Sequence, residues 1–113
     1  MDMDRASLLA HIRATHFESG DRERAVADAR RIAQFLEQNG ARTVVGIGSA
    51  FDPTRPFSHR SDIDLVVHGL PPRSFFSISA QAAAMTGYSL DLTAAESATP
   101  ALLRTASEHG TQL

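Results

Sequence analysis

The chain has 113 residues, 42% hydrophobic and 21% charged, which is the composition of one ordinary soluble domain. Its net charge of −2 speaks against a general nucleic-acid binder, which would be basic, so no direct contact with nucleic acid is expected. With no cysteine there is no disulfide, thiolate chemistry or cysteine zinc site; with all 11 basic residues arginine there is no lysine for a Walker-type phosphate loop or a Schiff base.

No apolar run approaches the ~20 residues that span a bilayer, and Met1 to Arg5 is not followed by a signal-peptide core. A cytoplasmic protein without membrane association is therefore expected. The whole of 1–113 reads as a single domain, with 1–20 as a helical N-terminal extension and 21–113 as the core.

In chain order, Arg5 to Phe17 reads as a short amphipathic helix with Leu8, Leu9, Ile12 and Phe17 on one side, ended by Glu18, Ser19 and Gly20. Asp21 is placed to cap a second helix to Asn39, and Asp2, Asp4 and Asp21 are all read as helix-start acids. The second helix carries a 3.6-residue stripe of Ala25, Val26, Ala29, Ile32, Ala33 and Leu36, and Asn39-Gly40 supplies its left-handed stop. Thr43 to Ile47 is a buried strand, closed by Gly48-Ser49. Ala50 to Ser61 is a loop, and Ile63 to His68 is the next strand, adjacent to the first.

After a turn at Gly69 to Pro72, Ser74 to Met85 is helical, with Phe75, Ile78, Ala82 and Met85 on one face. Phe35, Phe75 and Phe76 are read as core residues. Tyr88 to Thr93 alternates as a third strand, setting Asp91 on the face opposite Leu90 and Leu92. Thr99-Pro100 opens a last helix whose apolar side is Leu102, Leu103 and Ala106, and Gly110 to Leu113 is expected to fray. The order predicts an α+β fold: a small mixed sheet of three or four strands packed by about four helices.

The chemistry concentrates between Gly48 and Val67. Side chains alternate along a strand, so Asp62 and Asp64 share a face while Ile63 and Leu65 turn into the core. Two carboxylates ~4 Å apart repel by about 4 kcal/mol at an effective dielectric of ~20, which calls for a cation between them. Hard, anionic oxygen ligands suit Mg²⁺ or Mn²⁺, and Mg²⁺ of this kind arrives with substrate phosphates. The plainer readings are an exposed acidic strand start for Asp62 and Asp64, a solvated acid for Asp91, a turn residue for Ser49, and solvated loop charges for Arg55 and Arg60. His59 and His68 have no ligand spacing and are read as surface or structural residues.

Gly48-Ser49, a loop, and then Ser61-Asp62-Ile63-Asp64-Leu65 resemble the signature of the DNA polymerase β-like nucleotidyltransferase superfamily. Asp91 within Leu90-Asp91-Leu92 stands where that family carries a third carboxylate on a later strand. The short chain is similar in particular to the minimal nucleotidyltransferases, which often act as antitoxin partners of HEPN-domain RNase toxins. The likeness runs from about Asp21 to Leu113. The chain departs from the family pattern after Gly48-Ser49, where Ala50-Phe51-Asp52-Pro53 replaces a small-and-basic run and the loop to Asp62 is somewhat longer than is common.

The resemblance implies transfer of a nucleoside monophosphate, AMP from ATP, to a hydroxyl. It makes Asp62, Asp64 and Asp91 the catalytic and metal-binding residues, with Mg²⁺ or Mn²⁺ as cofactor. Gly48, Ser49, Arg55, Arg60 and Ser61 become the nucleotide-binding set. It also implies a HEPN-type toxin as partner, whose tyrosine would accept AMP, with a homodimer as a further possibility because so short a chain leaves little surface for an acceptor. Two alternatives belong to other classes: a catalytically inert module that neutralises a partner by stoichiometric binding, and a nucleotidyltransferase acting on a small molecule.

Overall fold

The computed structural model describes residues 5–58 and 60–113, with side chains from residue 21 onward. Its first element, α1, spans Arg5–Gln38 without interruption, so the break expected at Glu18 to Gly20 does not occur. One internal glycine costs a helix only ~1 kcal/mol relative to alanine, which packing of the same helix offsets. That packing is visible further along: Ala25, Ala29, Ile32, Ala33 and Leu36 are all buried. Leu8, Leu9, Ile12, Phe17, Asp2, Asp4 and His59 lie outside the residues whose side chains are described.

The end of α1 follows the sequence. Gly40 has φ +111°, the Ala41 N–H returns to the Leu36 carbonyl at 3.0 Å, and Asn39 Nδ2 donates to the Phe35 carbonyl at 2.8 Å. These bonds satisfy carbonyls that the helix would leave unpaired.

Strands β1 (Thr43–Ile47) and β2 (Ile63–His68) pair antiparallel, as their sequence and short connection suggest. A 3₁₀ turn at Ser49–Phe51 opens the connection. It is not a purely polar loop, because Phe57 is 1% exposed and anchors it in the core. The helix α2 (Phe75–Ala83) carries the chain to β3 (Leu90–Ala94), which lies parallel to β2. Both boundaries fall within two residues of the predicted ones. Phe75 packs partly on the core, but Phe76 is 86% exposed, against expectation. Consecutive residues on a helix point about 100° apart, so only one of the two phenylalanines can share the face of Ile78 and Ala82.

Helix α3 (Pro100–His109) starts as the sequence predicts, with the Thr99 hydroxyl accepting from the Leu102 N–H at 3.2 Å. Its apolar side is only half covered, and Leu103 is 41% exposed. The expected frayed tail is instead a fourth strand, β4 (Thr111–Gln112), antiparallel to β1 with Gly46 opposite Thr111. The Leu113 N–H donates to the Val44 carbonyl at 2.9 Å, so the last residues satisfy backbone groups on the free edge of β1.

The result is an α+β fold with one mixed sheet, order β3-β2-β1-β4, and three α-helices where four were expected, because the first two are fused. Among the described residues no helix is long and apolar enough to cross a membrane.

Candidate active site

The sheet register brings three distant points of the chain to one end. Ile47, the last residue of β1, stands opposite Asp64 on β2, which puts Gly48 beside the start of β2. On its other side Asp64 stands opposite Asp91 of β3. Paired residues of neighbouring strands send their side chains to the same face, so Asp64 and Asp91 face one another there.

Asp64 is half-buried, while Asp62 and Asp91 are exposed. Burial, then the negative charges of Asp91 and Asp62, push the Asp64 carboxyl above the usual carboxylate range; Arg55 pulls the other way. Both neighbouring acids thus act on Asp64 through space. Gly48 completes this end of the sheet: at φ +83° it occupies backbone space that other residues avoid, and a Cβ there would stand 2.9 Å from Asp64 Oδ2.

Among the described residues no group of three or more His, Asp or Glu side chains is gathered closely enough to form a cation cage by itself. The donor set is nevertheless of the right kind. Mg²⁺ keeps several waters and is bound through one or two carboxylates plus phosphate oxygens, and a repelling, all-oxygen pair such as Asp64 and Asp91 offers that partial shell.

Of the residues singled out for nucleotide binding, Gly48, Ser49 and Arg55 are near this centre. Ser49 begins the 3₁₀ turn directly after Gly48, and Arg55 is the one cation among the charges acting on Asp64. Ser61 instead serves the loop: its hydroxyl accepts from the Ser58 N–H at 3.1 Å. Arg60 is exposed, its N–H held by Ser58 Oγ at 3.3 Å, and it is not among the charges felt by Asp64. Asp52, an unhelpful neighbour for a triphosphate, is engaged by its own turn. Its Oδ1 accepts from the Thr54 hydroxyl at 2.6 Å and the Thr54 N–H at 3.0 Å, which lowers its pKa.

A cleft of about 480 Å³ opens beside Gly48, lined by Ile47, Phe51, Asp52, Arg55, and Thr105 and His109 of α3. None of the three aspartates lines it, but it adjoins Gly48 and so Asp64; none lines a larger cleft of about 760 Å³ either, which lies at the far end of β2 beside His68, Phe75 and Glu96. There His68 fills the structural part expected of it, with Nε2 3.5 Å from Glu96 Oε2.

Three contributions were missed from sequence. Thr105 and His109, four apart and so on one side of α3, form the outer wall of the cleft. That spacing was the available signal. Arg22 reaches the loop from α1, donating through Nε to the Ser49 carbonyl at 3.3 Å and through its other arm to the Arg55 carbonyl, with its guanidinium 5.8 Å from the Phe57 ring centroid. No local pattern marks it. Asp21 is not a helix cap; it is 3% exposed inside α1 and accepts from the Tyr88 hydroxyl.

A Gly-Ser turn after one strand, Asp-x-Asp opening the antiparallel next one, and an aspartate in register on a third strand parallel to the second are carried on a fold of the nucleotidyltransferase type. Several solved structures that the chain resembles in fold are described as toxin–antitoxin complexes. One, described as a toxin–antitoxin with AMP-PNP, is 22% identical with a TM-score of 0.62, over 74% of this chain and 70% of that one. Another, MntA-HepT, is 20% identical with a TM-score of 0.58, over 76% of this chain and 68% of that one. A third is a tri-AMPylated Shewanella oneidensis HEPN toxin in complex with its MNT antitoxin, 20% identical with a TM-score of 0.58, over 78% of this chain and 70% of that one. No protein-family model matches the chain, and no curated protein matches it significantly.

Proposed function

We propose that this protein is an antitoxin that transfers AMP from ATP to a hydroxyl on a HEPN-type toxin, a tyrosine by preference, and so silences it in the cytoplasm. The observation that carries the reading is the meeting of Asp64 and Asp91 in register, with Gly48 left bare against Asp64 Oδ2. The complexes that share the fold support the choice of partner and nucleotide: one contains AMP-PNP and another an AMPylated HEPN toxin.

In this mechanism Asp62, Asp64 and Asp91 would hold Mg²⁺, or Mn²⁺, which would supply neutralisation of phosphate charge and a more acidic acceptor hydroxyl. Asp91, exposed at the rim, takes the proton from that hydroxyl. The new bond joins the acceptor oxygen to the α-phosphorus, the bond from the α-phosphorus to its bridging oxygen breaks, and pyrophosphate leaves. Ser49 and Arg55 hold the β- and γ-phosphates in the cleft beside Gly48.

The test mixes the protein with α-labelled ATP, Mg²⁺ and the HEPN-type protein encoded beside it. Label on the neighbour, lost with Asp64→Asn, is the expected result; an unlabelled neighbour and no HEPN protein nearby would remove the reading. One observation favours a second reading, that of an inert module: the three aspartates do not form a closed cation cage. Asp64→Asn separates the two, because an inert antitoxin would still neutralise its partner.

A further inference from the structure

We propose that Arg22 is a positioning residue for the triphosphate: it ties the two ends of the phosphate-facing turn to α1, and so fixes where Ser49 and Arg55 present themselves. The inference rests on the nucleotidyltransferase reading of the site.

The middle of the turn from Gly48 to Arg55 is anchored by buried Ala50 and by Phe51, but its two ends have little of their own to hold them. The turn contains Pro53, which donates no hydrogen bond, and its internal bonds are short-range: Phe51 N–H to Gly48 carbonyl at 3.1 Å, Asp52 N–H to Ser49 carbonyl at 3.4 Å, Arg55 N–H to Asp52 carbonyl at 3.1 Å. None of these bonds ties the ends of the turn to the rest of the fold. Arg22 does, because one planar guanidinium donates to the carbonyls of Ser49 and Arg55 across 27 and 33 residues of sequence. The same group lies over the ring of Phe57, which is itself buried and in contact with Tyr88 at 5.7 Å between ring centroids. Two carbonyls bound by one rigid fork fix both the distance and the orientation between the residues that carry them.

The consequence concerns binding rather than the chemical step. Arg55 lines the cleft and Ser49 follows Gly48 at its edge, whereas the hydrogen bonds of Arg22 go to the turn and not to the strands that carry Asp64 and Asp91. Loss of the clamp should loosen the grip on the triphosphate and leave the carboxylates in place. Lysine keeps the charge but offers a single point donor, and cannot bind both carbonyls while lying flat on an aromatic ring.

Arg22→Met, which preserves packing on Phe57, and Arg22→Lys are to be compared with the unaltered protein in two measurements. The first is amide hydrogen exchange at Phe51, Asp52 and Arg55, which needs neither substrate nor activity. Faster exchange in both variants, with α1 and sheet amides unchanged, is expected. The second is the KM for the triphosphate against kcat: KM should rise about tenfold with kcat nearly constant, and lysine should restore little. Unchanged exchange in the turn overturns the clamp, whatever the protein's activity. Faster exchange with unchanged KM, or a fall in kcat alone that tracks lost stability, overturns the positioning role and leaves a structural one. Failure of the unaltered protein to bind any triphosphate overturns the nucleotidyltransferase reading, and the positioning role with it, while the exchange result still decides whether the clamp exists.

Discussion

Gly48 stands directly beneath the carboxylate of Asp64, so near that a methyl group on it would lie 2.9 Å from Oδ2. The pairing Ile47↔Asp64 imposes this proximity, since the residue after Ile47 must turn past the aspartate. Glycine therefore serves twice here: it takes a backbone conformation of φ +83°, ψ −164°, and it leaves the carboxylate of Asp64 free of a side chain at 2.9 Å.

Gly48→Ala is accordingly expected to combine backbone strain with a steric conflict. Non-glycine residues in such regions cost of order 1–3 kcal/mol. Urea unfolding should show a loss of about 2 kcal/mol, and triphosphate binding should fall further than the stability loss explains. A variant as stable as the parent would mean that the turn relaxes freely and that the close approach is unimportant.

Asp64→Asn should stabilise the protein at neutral pH in the absence of divalent ions. The folded-state pKa of Asp64 is raised by burial and by Asp91 and Asp62, so its ionised form is disfavoured in the fold. A carboxyl raised in this way contributes stability that is present below its unfolded pKa and lost as pH rises through the folded value. Thermal melts in EDTA should therefore favour the asparagine variant at pH 7, with the advantage shrinking as the pH falls through the raised folded value and gone below about pH 4. Transfer activity should move the opposite way, falling by ~10² or more because a metal ligand is lost. An asparagine variant less stable than the parent at pH 7 would show that the three acids do not strain one another.

The single tyrosine offers a clean probe, since the chain has no tryptophan. Tyr88 donates to Asp21, and its pKa is pushed up to about 12 by burial and by that carboxylate. Ultraviolet titration should place phenolate formation well above the ordinary value of ~10, returning to it in denaturant. The linked stability is complete below pH ~10 and lost as the pH climbs through the folded pKa. Asp21→Asn should bring the midpoint down. A native midpoint at the ordinary value would deny the contact between α1 and the start of β3.

How far the sequence led depended on the range of the interaction. Thr99 as a cap, Gly40 as a stop, and β1 and β2 as strands are local features, set by side chains within a few residues of each other. Their pattern is readable in a single sequence. Asp64 and Asp91 were legible only because the Asp-x-Asp and Leu-Asp-Leu stretches resemble a known family; nothing local places residue 91 in register with residue 64. Glu18-Ser19-Gly20 was misread because a serine followed by a glycine looks like a stop, although packing along the rest of a long helix outweighs them. Thr111 to Leu113 has no strand signal of its own and gains its structure from the vacant edge of β1. Arg22 and Asp21 act on partners 27 or more residues away, so their roles exist only once the fold has formed.

Addition of Mg²⁺ alone should change the melting temperature little, whereas Mg²⁺ together with a non-hydrolysable ATP analogue should raise it clearly. Asp64, Asp91 and the neighbouring Asp62 would provide only part of a coordination shell, since among the described residues no three such side chains are gathered into a cation cage. The remaining ligands must come from phosphate and water, so metal and nucleotide should bind cooperatively. A ligand at a hundredfold excess over its Kd stabilises by about 2.7 kcal/mol, equivalent to several degrees in a domain of this size. The shift should disappear with EDTA and with Asp64→Asn. It should persist, though weakened, in Arg22→Lys, which leaves the carboxylates intact. Equal shifts with and without Mg²⁺, or a full shift in Asp64→Asn, would place nucleotide binding away from the aspartates and detach the cleft beside Gly48 from the chemistry assigned to it.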